Sequence, residues 1–171
     1  MKSSRSTRWL IYAVSVAVTG LVGALAWVAA VAPPEYDIGA DGAAWISEKS
    51  LSQLFAMDVW FTFTGLIAGI VLGTLAWALF REVGWPVVVI AMLGGIVAAL
   101  LCWQFGSVMG SSDFDARVIA AKPDERVPVD FTLHARSALL VWPGATLLPI
   151  ILYSFFDRGT DRGSATVTQA R

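Results

Sequence analysis

The chain has 171 residues, of which 57% are hydrophobic and 15% are charged. Soluble proteins carry about 25% charged residues, so this composition excludes an ordinary soluble domain and favours a membrane protein. The 12 basic and 13 acidic residues nearly balance and form no basic patch with interleaved aromatic residues, so we expect no nucleic-acid partner. A single cysteine excludes an intramolecular disulfide and a cysteine-based metal site.

The first long apolar segment, residues 9–32, follows a short basic tail formed by residues 1–8. It is long enough to cross the hydrocarbon core of a bilayer, which takes about 20 apolar residues. A secretory signal with a small-residue cleavage site at residues 30–32 is the alternative interpretation. That alternative fits less well, because a signal sequence has an apolar region of only about 7–15 residues and Pro33 would directly follow the cut. We therefore predict a retained first transmembrane helix that ends at the proline.

The second predicted transmembrane helix, residues 58–80, has no charge after its first residue. Gly65, Gly69 and Gly73 recur at every fourth position, so they lie along one face of the helix. Small residues in such a stripe allow a neighbouring membrane helix to approach closely. We therefore predict that this face packs against another helix.

The third predicted helix, residues 86–109, carries a similar stripe of small side chains. Its members are Gly94, Ala98, Cys102 and Gly106. We expect Cys102 to act as a packing residue, because a buried thiol in apolar surroundings is inert. The connection over residues 81–86 is short enough to require an antiparallel hairpin of helices two and three. We therefore expect the two stripes to pack within the bundle, and we favour packing against each other.

The fourth predicted helix, residues 134–156, contains Pro143 and Pro149. Each proline removes one backbone hydrogen bond and is expected to kink the helix, and neighbouring helices can compensate that loss. Residues 157–171 are rich in Gly, Ser and Thr, and we predict a disordered cytoplasmic tail. The predicted fold is an all-α membrane protein, a four-transmembrane-helix bundle formed by residues 9–156.

Two polar loops, residues 33–57 and 110–133, connect helix one to helix two and helix three to helix four. Their candidate strands are residues 43–47, 51–55, 116–120 and 127–133. Residues 50–57 also fit a short helix on the membrane surface, because their apolar residues have helical spacing. Both loops leave the same end of the bundle, so we expect a small cap there, with a short antiparallel sheet as one form of it.

The distribution of charge predicts the orientation. Residues 1–8, 81–86 and 157–171 together hold seven basic and three acidic residues, whereas the two long loops with their edges hold five basic and ten acidic ones. Because cytoplasmic loops are enriched in Lys and Arg, we expect both termini to be cytoplasmic and both long loops to be extracytoplasmic.

The tryptophans fit the same placement, since tryptophan is enriched at both membrane interfaces. The expected cytoplasmic group is Trp9, Trp77 and Trp85, and the expected outer group is Trp27, Trp45, Trp60 and Trp103. Trp142 lies deeper, beside the first proline of helix four, where core packing is the favoured interpretation.

A polar cluster is predicted at the outer edge of the bundle, formed by Asp58, His134 and Arg136. Asp58 begins helix two on the face of its glycine stripe, and the other two residues begin helix four at a similar depth. One interpretation is a pH-sensitive or ligand-binding mouth, because histidine titrates near neutral pH. The favoured interpretation is structural, with an Asp58–Arg136 ion pair that holds helices two and four together.

The order of these features resembles an uncharacterised actinobacterial family of four-helix membrane proteins, known as a domain of unknown function. The resemblance covers about residues 9–156. It depends on Asp41-Gly42, the Gly65, Gly69, Gly73 and Trp77 series, Gly94-Gly95, the Trp103, Gly106 and Gly110 series, and Leu139-Leu140-Val141-Trp142-Pro143. The resemblance implies a plasma-membrane location and brings no catalytic residues.

The sequence contains no motif that points to catalysis, cofactor binding or metal binding, such as a Ser-His-Asp set, H-E-x-x-H or a phosphate loop. We therefore expect a non-enzymatic accessory or scaffold protein in the lipid bilayer, packed against a larger membrane partner or against itself. The alternative is a small transporter or channel subunit for an apolar or lipid-like molecule. The absence of a charge midway along any helix argues against ion or proton coupling. An enzyme acting on lipid head groups is a third, weaker interpretation.

Overall fold

The computed structural model describes residues 2–31, 34–38, 44–46, 48–110, 114–120 and 126–168. The fold is mostly helical. Its α-helices are α1 (Lys2–Ala30), α2 (Glu48–Phe80), α3 (Pro86–Met109), α4 (Phe114–Ala120) and α5 (Val141–Thr168). Within the described part of the chain, four of them, α1, α2, α3 and α5 with its leading turn, are long and apolar enough to cross a membrane. The fold is therefore that of a multi-pass membrane protein.

Three helices have bounds that differ from the prediction. Helix α1 begins at Lys2, inside the predicted tail, and α5 continues to Thr168, into the segment predicted to be disordered. Helix α2 begins at Glu48, so residues 50–57 are helical but extend α2 instead of forming a separate surface helix, and the predicted strand over residues 51–55 is wrong. Those residues continue the membrane helix without a break, so helical spacing of their apolar side chains outweighed strand propensity.

A small sheet covers one end of the bundle. Its strands are β1 (Glu35–Ile38), β2 (Ala44–Ile46) and β3 (Arg126–Pro128), in the antiparallel order β2-β1-β3. Since β1 belongs to the first loop and β3 to the second, the sheet joins the two loops, as one form of the predicted cap requires.

The second loop departs from the prediction before it reaches β3. Helix α4 occupies residues 114–120, so the predicted strand over residues 116–120 is wrong. Alanine and arginine in this segment have high helix propensity, and no strand partner is found for it among the described residues. The predicted strand over residues 127–133 is short, ending at Pro128. Beyond it, the Val129 N–H still donates to the Pro34 carbonyl oxygen at 2.8 Å.

The four long helices pack as two close pairs, α2 with α5 and α1 with α3. Contacts of α3 with α5 and of α1 with α2 close the bundle. Although α2 and α3 are consecutive, they contact each other less than they contact these other neighbours. An exposed ion pair, Arg8 Nη1 to Glu82 Oε2 at 3.0 Å, connects the start of α1 to the turn between α2 and α3.

Aromatic side chains fill the centre of the bundle. Trp27 and Trp142 are fully buried, and the Phe61 ring lies between them, with centroid distances of 5.0 and 5.6 Å. The Trp27 indole N–H donates to the Met57 carbonyl oxygen at 2.8 Å. Trp27 was expected in the outer interfacial belt, but its ring belongs to the core, where a backbone acceptor satisfies its only polar atom.

Candidate functional site

The glycine stripe of α2 packs against α5. A Cβ atom added at Gly65 would overlap the Trp142 indole, and one added at Gly69 would lie 2.5 Å from the Ala145 Cβ. At Gly73 the added atom would overlap the Thr146 carbonyl oxygen. The predicted packing role of these glycines therefore has a definite partner, and the expectation that they face the stripe of α3 is wrong.

The small-residue stripe of α3 packs against α1 instead. A Cβ atom at Gly94 would overlap the Tyr12 hydroxyl, and one at Gly106 would lie 2.6 Å from the Trp27 ring. Ala98 and Cys102, the two stripe residues between them, are also fully buried. Ala98 faces Gly20 of α1, and Cys102 faces Gly23. Each stripe thus packs against a different helix, which explains why α2 and α3 do not form the closest pair.

Asp58 contacts the start of the fourth membrane span through backbone atoms. Its Oδ1 accepts the His134 N–H and its Oδ2 accepts the Ala135 N–H, both at 3.0 Å. These groups immediately precede a 3-10 helix, Arg136–Leu140, that leads into α5. The carboxylate from α2 therefore holds the backbone of the two residues that lead into this helix, through two charge-assisted hydrogen bonds.

The predicted Asp58–Arg136 ion pair is absent from the described residues. His134 and Arg136 are both exposed, and His134 contributes its backbone N–H, rather than its imidazole, to Asp58. The structure therefore places the three predicted residues next to one another, but the link between α2 and α5 is a carboxylate–backbone contact.

This geometry predicts the outcome of a double-mutant cycle. Asp58→Asn replaces one of the two accepting oxygens by an NH₂ group, so we expect a loss of about 0.5–1.5 kcal/mol in the free energy of unfolding, the usual contribution of one hydrogen bond. Arg136→Gln is expected to change it by less than about 0.5 kcal/mol, as an exposed substitution does. The losses are expected to add in the double variant, measured by denaturant unfolding in detergent micelles. A coupling energy above about 0.5 kcal/mol would indicate that the two side chains interact directly.

Two apolar grooves lie on the outside of the bundle. The α2–α5 groove, about 510 Å³, is lined by Phe55, Asp58, Val59, Thr62, Phe63, Leu66, Ala135, Ser137, Ala138 and Val141. The α1–α2 groove, about 430 Å³, is lined by Val18, Thr19, Val22, Gly23, Ala26, Ala30, Trp60, Phe63, Thr64, Ile67, Ala68 and Val71. Sequence reasoning missed both grooves, because they depend on how the helices cross. The closest sequence signal is the series Val22, Ala26 and Ala30 on one face of α1.

Unpaired polar atoms inside the bundle are few. Within the described residues, the buried side-chain atoms without a hydrogen-bond partner are Trp103 Nε1, Ser107 Oγ and Trp142 Nε1. The same residues contain no cluster of His, Cys, Asp and Glu that could hold a metal ion. Among the described residues, the two grooves, and Asp58 at one end of the α2–α5 groove, offer places where another molecule could pack.

No family model, curated protein or solved structure matches this chain. The resemblance to the actinobacterial family therefore stays a prediction, and a function has to be argued from the geometry.

Proposed function

We propose that this protein is a non-enzymatic accessory subunit of the membrane that binds a transmembrane helix of a larger membrane protein. The observation that carries the proposal is the α1–α2 groove, which small residues line along both helices. Gly23, Ala26 and Ala30 line it from α1, and Ala68 lines it from α2. Helix association in lipid depends on close packing, and small residues permit that approach.

The interior of the bundle supports a binding role over a transport role. The side chains of Trp27, Phe61 and Trp142 fill the centre of the bundle, and all three are fully buried. The buried polar residues of the described chain are Ser50 and Thr146, and the Thr146 hydroxyl donates to the Pro143 carbonyl oxygen at 2.7 Å. A conduit for an apolar molecule would require these large side chains to move, so the transporter alternative has less support.

The size and chemistry of the α1–α2 groove favour a helix as its occupant. From Val18 to Ala30 it follows α1 for roughly 18 Å at ~1.5 Å per residue, which is more than half of the ~30 Å hydrocarbon core. All of its lining residues are uncharged, so it offers no group that would hold a lipid head group.

The proposed setting is the plasma membrane, with both termini cytoplasmic and the β-sheet cap outside. The excess of basic residues at one end supports this orientation. A cysteine introduced at the exposed Ser137 tests this orientation. An impermeant thiol reagent should label it in intact cells. The native Cys102 is fully buried, so it should not react with the reagent.

Site-specific photo-crosslinking in native membranes tests the helix-binding role. A photoreactive residue at Ala26, inside the groove, should form an adduct with an apolar segment of a larger membrane protein. Ala26→Trp should reduce recovery of that partner at least about tenfold, the effect of losing ~1.4 kcal/mol of binding.

Ala29→Trp is the matched control, because Ala29 is also exposed on α1 but does not line the groove. Equal recovery with both tryptophan variants would contradict the proposal. Adducts with lipid alone, or with a second copy of this chain alone, would also contradict it.

A further inference from the structure

The α2–α5 groove has an apolar floor and, at one end, the carboxylate of Asp58 with Arg136 next to its lining residues in the chain. This combination is typical of a site for an amphiphile. Val59, Phe63, Leu66 and Val141 are among its apolar lining residues. Asp58, Ala135 and Ser137 line the end where the fourth membrane span begins. This groove lies between α2 and α5, whereas the groove proposed to bind a partner helix lies between α1 and α2.

The length of the groove along α2 is close to the thickness of the hydrocarbon layer in one leaflet of a bilayer. On α2 its floor extends from Asp58 to Leu66, roughly 12 Å at ~1.5 Å per residue. Half of a hydrocarbon core of ~30 Å is about 15 Å. Asp58 lies near the polar end of this stretch, so an acyl chain on the apolar floor would leave its head group beside the carboxylate.

The negative half of the charged end is Asp58. Its side chain is half-buried, and each oxygen accepts one backbone N–H, from His134 and Ala135. Because an ionised carboxylate has about four lone-pair sites, it can still accept hydrogen bonds from a ligand that donates them. A primary ammonium has three N–H donors and the opposite charge, whereas a quaternary ammonium has no N–H donor.

The positive half is Arg136, which lies in the chain between two residues that line the groove, Ala135 and Ser137. Its side chain is exposed, and the described residues contain no ion pair to it. Guanidinium groups bind phosphate oxygens through two parallel hydrogen bonds. The Ser137 hydroxyl, on the groove wall itself, offers a further donor at the same end.

We infer that the α2–α5 groove binds a phospholipid with an ethanolamine head group. One acyl chain lies against Val59, Phe63 and Leu66, the phosphate contacts Arg136 and Ser137, and the ammonium contacts Asp58. A choline head group would lack the N–H donors for Asp58, and a glycerol head group would lack the cation. The Asp58 carboxylate and the Arg136 guanidinium together therefore favour a zwitterionic lipid with a primary amine over lipids with choline or glycerol head groups.

Native mass spectrometry of the delipidated full-length protein tests this assignment. Phosphatidylethanolamine, phosphatidylcholine and phosphatidylglycerol with identical acyl chains are titrated separately. We expect phosphatidylethanolamine to bind at least about tenfold more tightly than the other two, because only its head group brings a cation with N–H donors to Asp58.

Variants separate the floor from the charged end. Val59→Trp fills the groove from an exposed position and should weaken binding of the ethanolamine lipid about tenfold. Ile70→Trp, an exposed substitution on the same helix that lines neither groove, should leave it unchanged. Arg136→Gln should weaken binding of all three lipids, because each carries a phosphate, and should leave both the preference for ethanolamine and the backbone contacts of Asp58 unchanged.

Three results would overturn the inference. Equal affinities for the three lipids would exclude recognition of the head group, and unchanged binding in Val59→Trp would exclude the groove. Displacement of the lipid by a second copy of the chain, seen as a dimer whose abundance falls in Val59→Trp, would assign the groove to self-association. Loss of the helix-binding role through Ala26→Trp leaves this test unaffected, so the two proposals fail independently.

Discussion

Replacement of Gly73 by alanine is expected to lower the free energy of unfolding by about 1–3 kcal/mol, the usual cost of an added methyl group in a well-packed interior. The new Cβ would overlap the Thr146 carbonyl oxygen and lie 2.8 Å from the Pro149 Cγ. One obstacle is backbone and the other is a rigid ring, so neither can rotate away. Helices α2 and α5 must separate locally, and the contacts along their whole seam weaken.

Gly144→Ala is the matched control for this prediction. It makes the same chemical change in a membrane helix, but Gly144 is exposed and an added Cβ there meets nothing within 4 Å. Alanine has a higher helix propensity than glycine, so this variant is expected to gain up to about 1 kcal/mol. Denaturant titration in mixed micelles, followed by tryptophan fluorescence, measures both variants. Similar effects of the two substitutions would show that the seam is not packed at Gly73.

The positions of the membrane spans could be predicted because lipid imposes a strong local rule. A spanning helix needs about 20 apolar residues, and the chain contains four such segments separated by polar ones. The same rule says nothing about the ends of a helix that extend beyond the lipid. The early start of α2 at Glu48 and the length of α5 could therefore not be predicted from apolar length.

The pairing of the helices could not be predicted, although the packing faces could. Gly65 and Gly94 leave space on the surfaces of α2 and α3. Either space can be filled by any neighbouring helix that brings a large side chain at the right depth. Trp142 fills the space beside Gly65, and Tyr12 fills the space beside Gly94. Their depths depend on the relative heights of helices that are distant in sequence, and composition carries no signal for such heights.

Asp58 shows a related limit at the candidate site. Its position at the start of the predicted second helix, residues 58–80, indicated a contact with the start of the fourth span. The natural expectation for a carboxylate is a basic side chain, and Arg136 was the available one. The atoms that it contacts are backbone N–H groups of His134 and Ala135, and backbone donors leave no signature in a sequence.

The largest single loss of stability is expected for Trp142→Ala. The ring is fully buried, contacts Gly65 of α2, and reaches to within 3.0 Å of a Cβ position at Gly23 of α1. Its removal leaves a cavity between three helices, and we expect a loss of about 3–5 kcal/mol. Trp142→Phe should lower the free energy of unfolding clearly less, because it keeps an aromatic ring. It also removes an indole N–H that has no partner, and an unpaired buried donor costs about 1–3 kcal/mol.

A larger side chain at Gly65 provides the decisive comparison. Alone, Gly65→Leu overlaps the Trp142 ring and should destabilise the bundle by at least about 1–3 kcal/mol. In the Trp142→Ala background the leucine occupies the vacated space, so the double variant should be more stable than the sum of the single losses predicts, by about 0.5–3 kcal/mol. Additive losses in the same unfolding assay would mean that Trp142 and Gly65 do not share one packed site. Rescue would show that a large side chain from α5, seated on the small-residue stripe of α2, holds this seam of the bundle together.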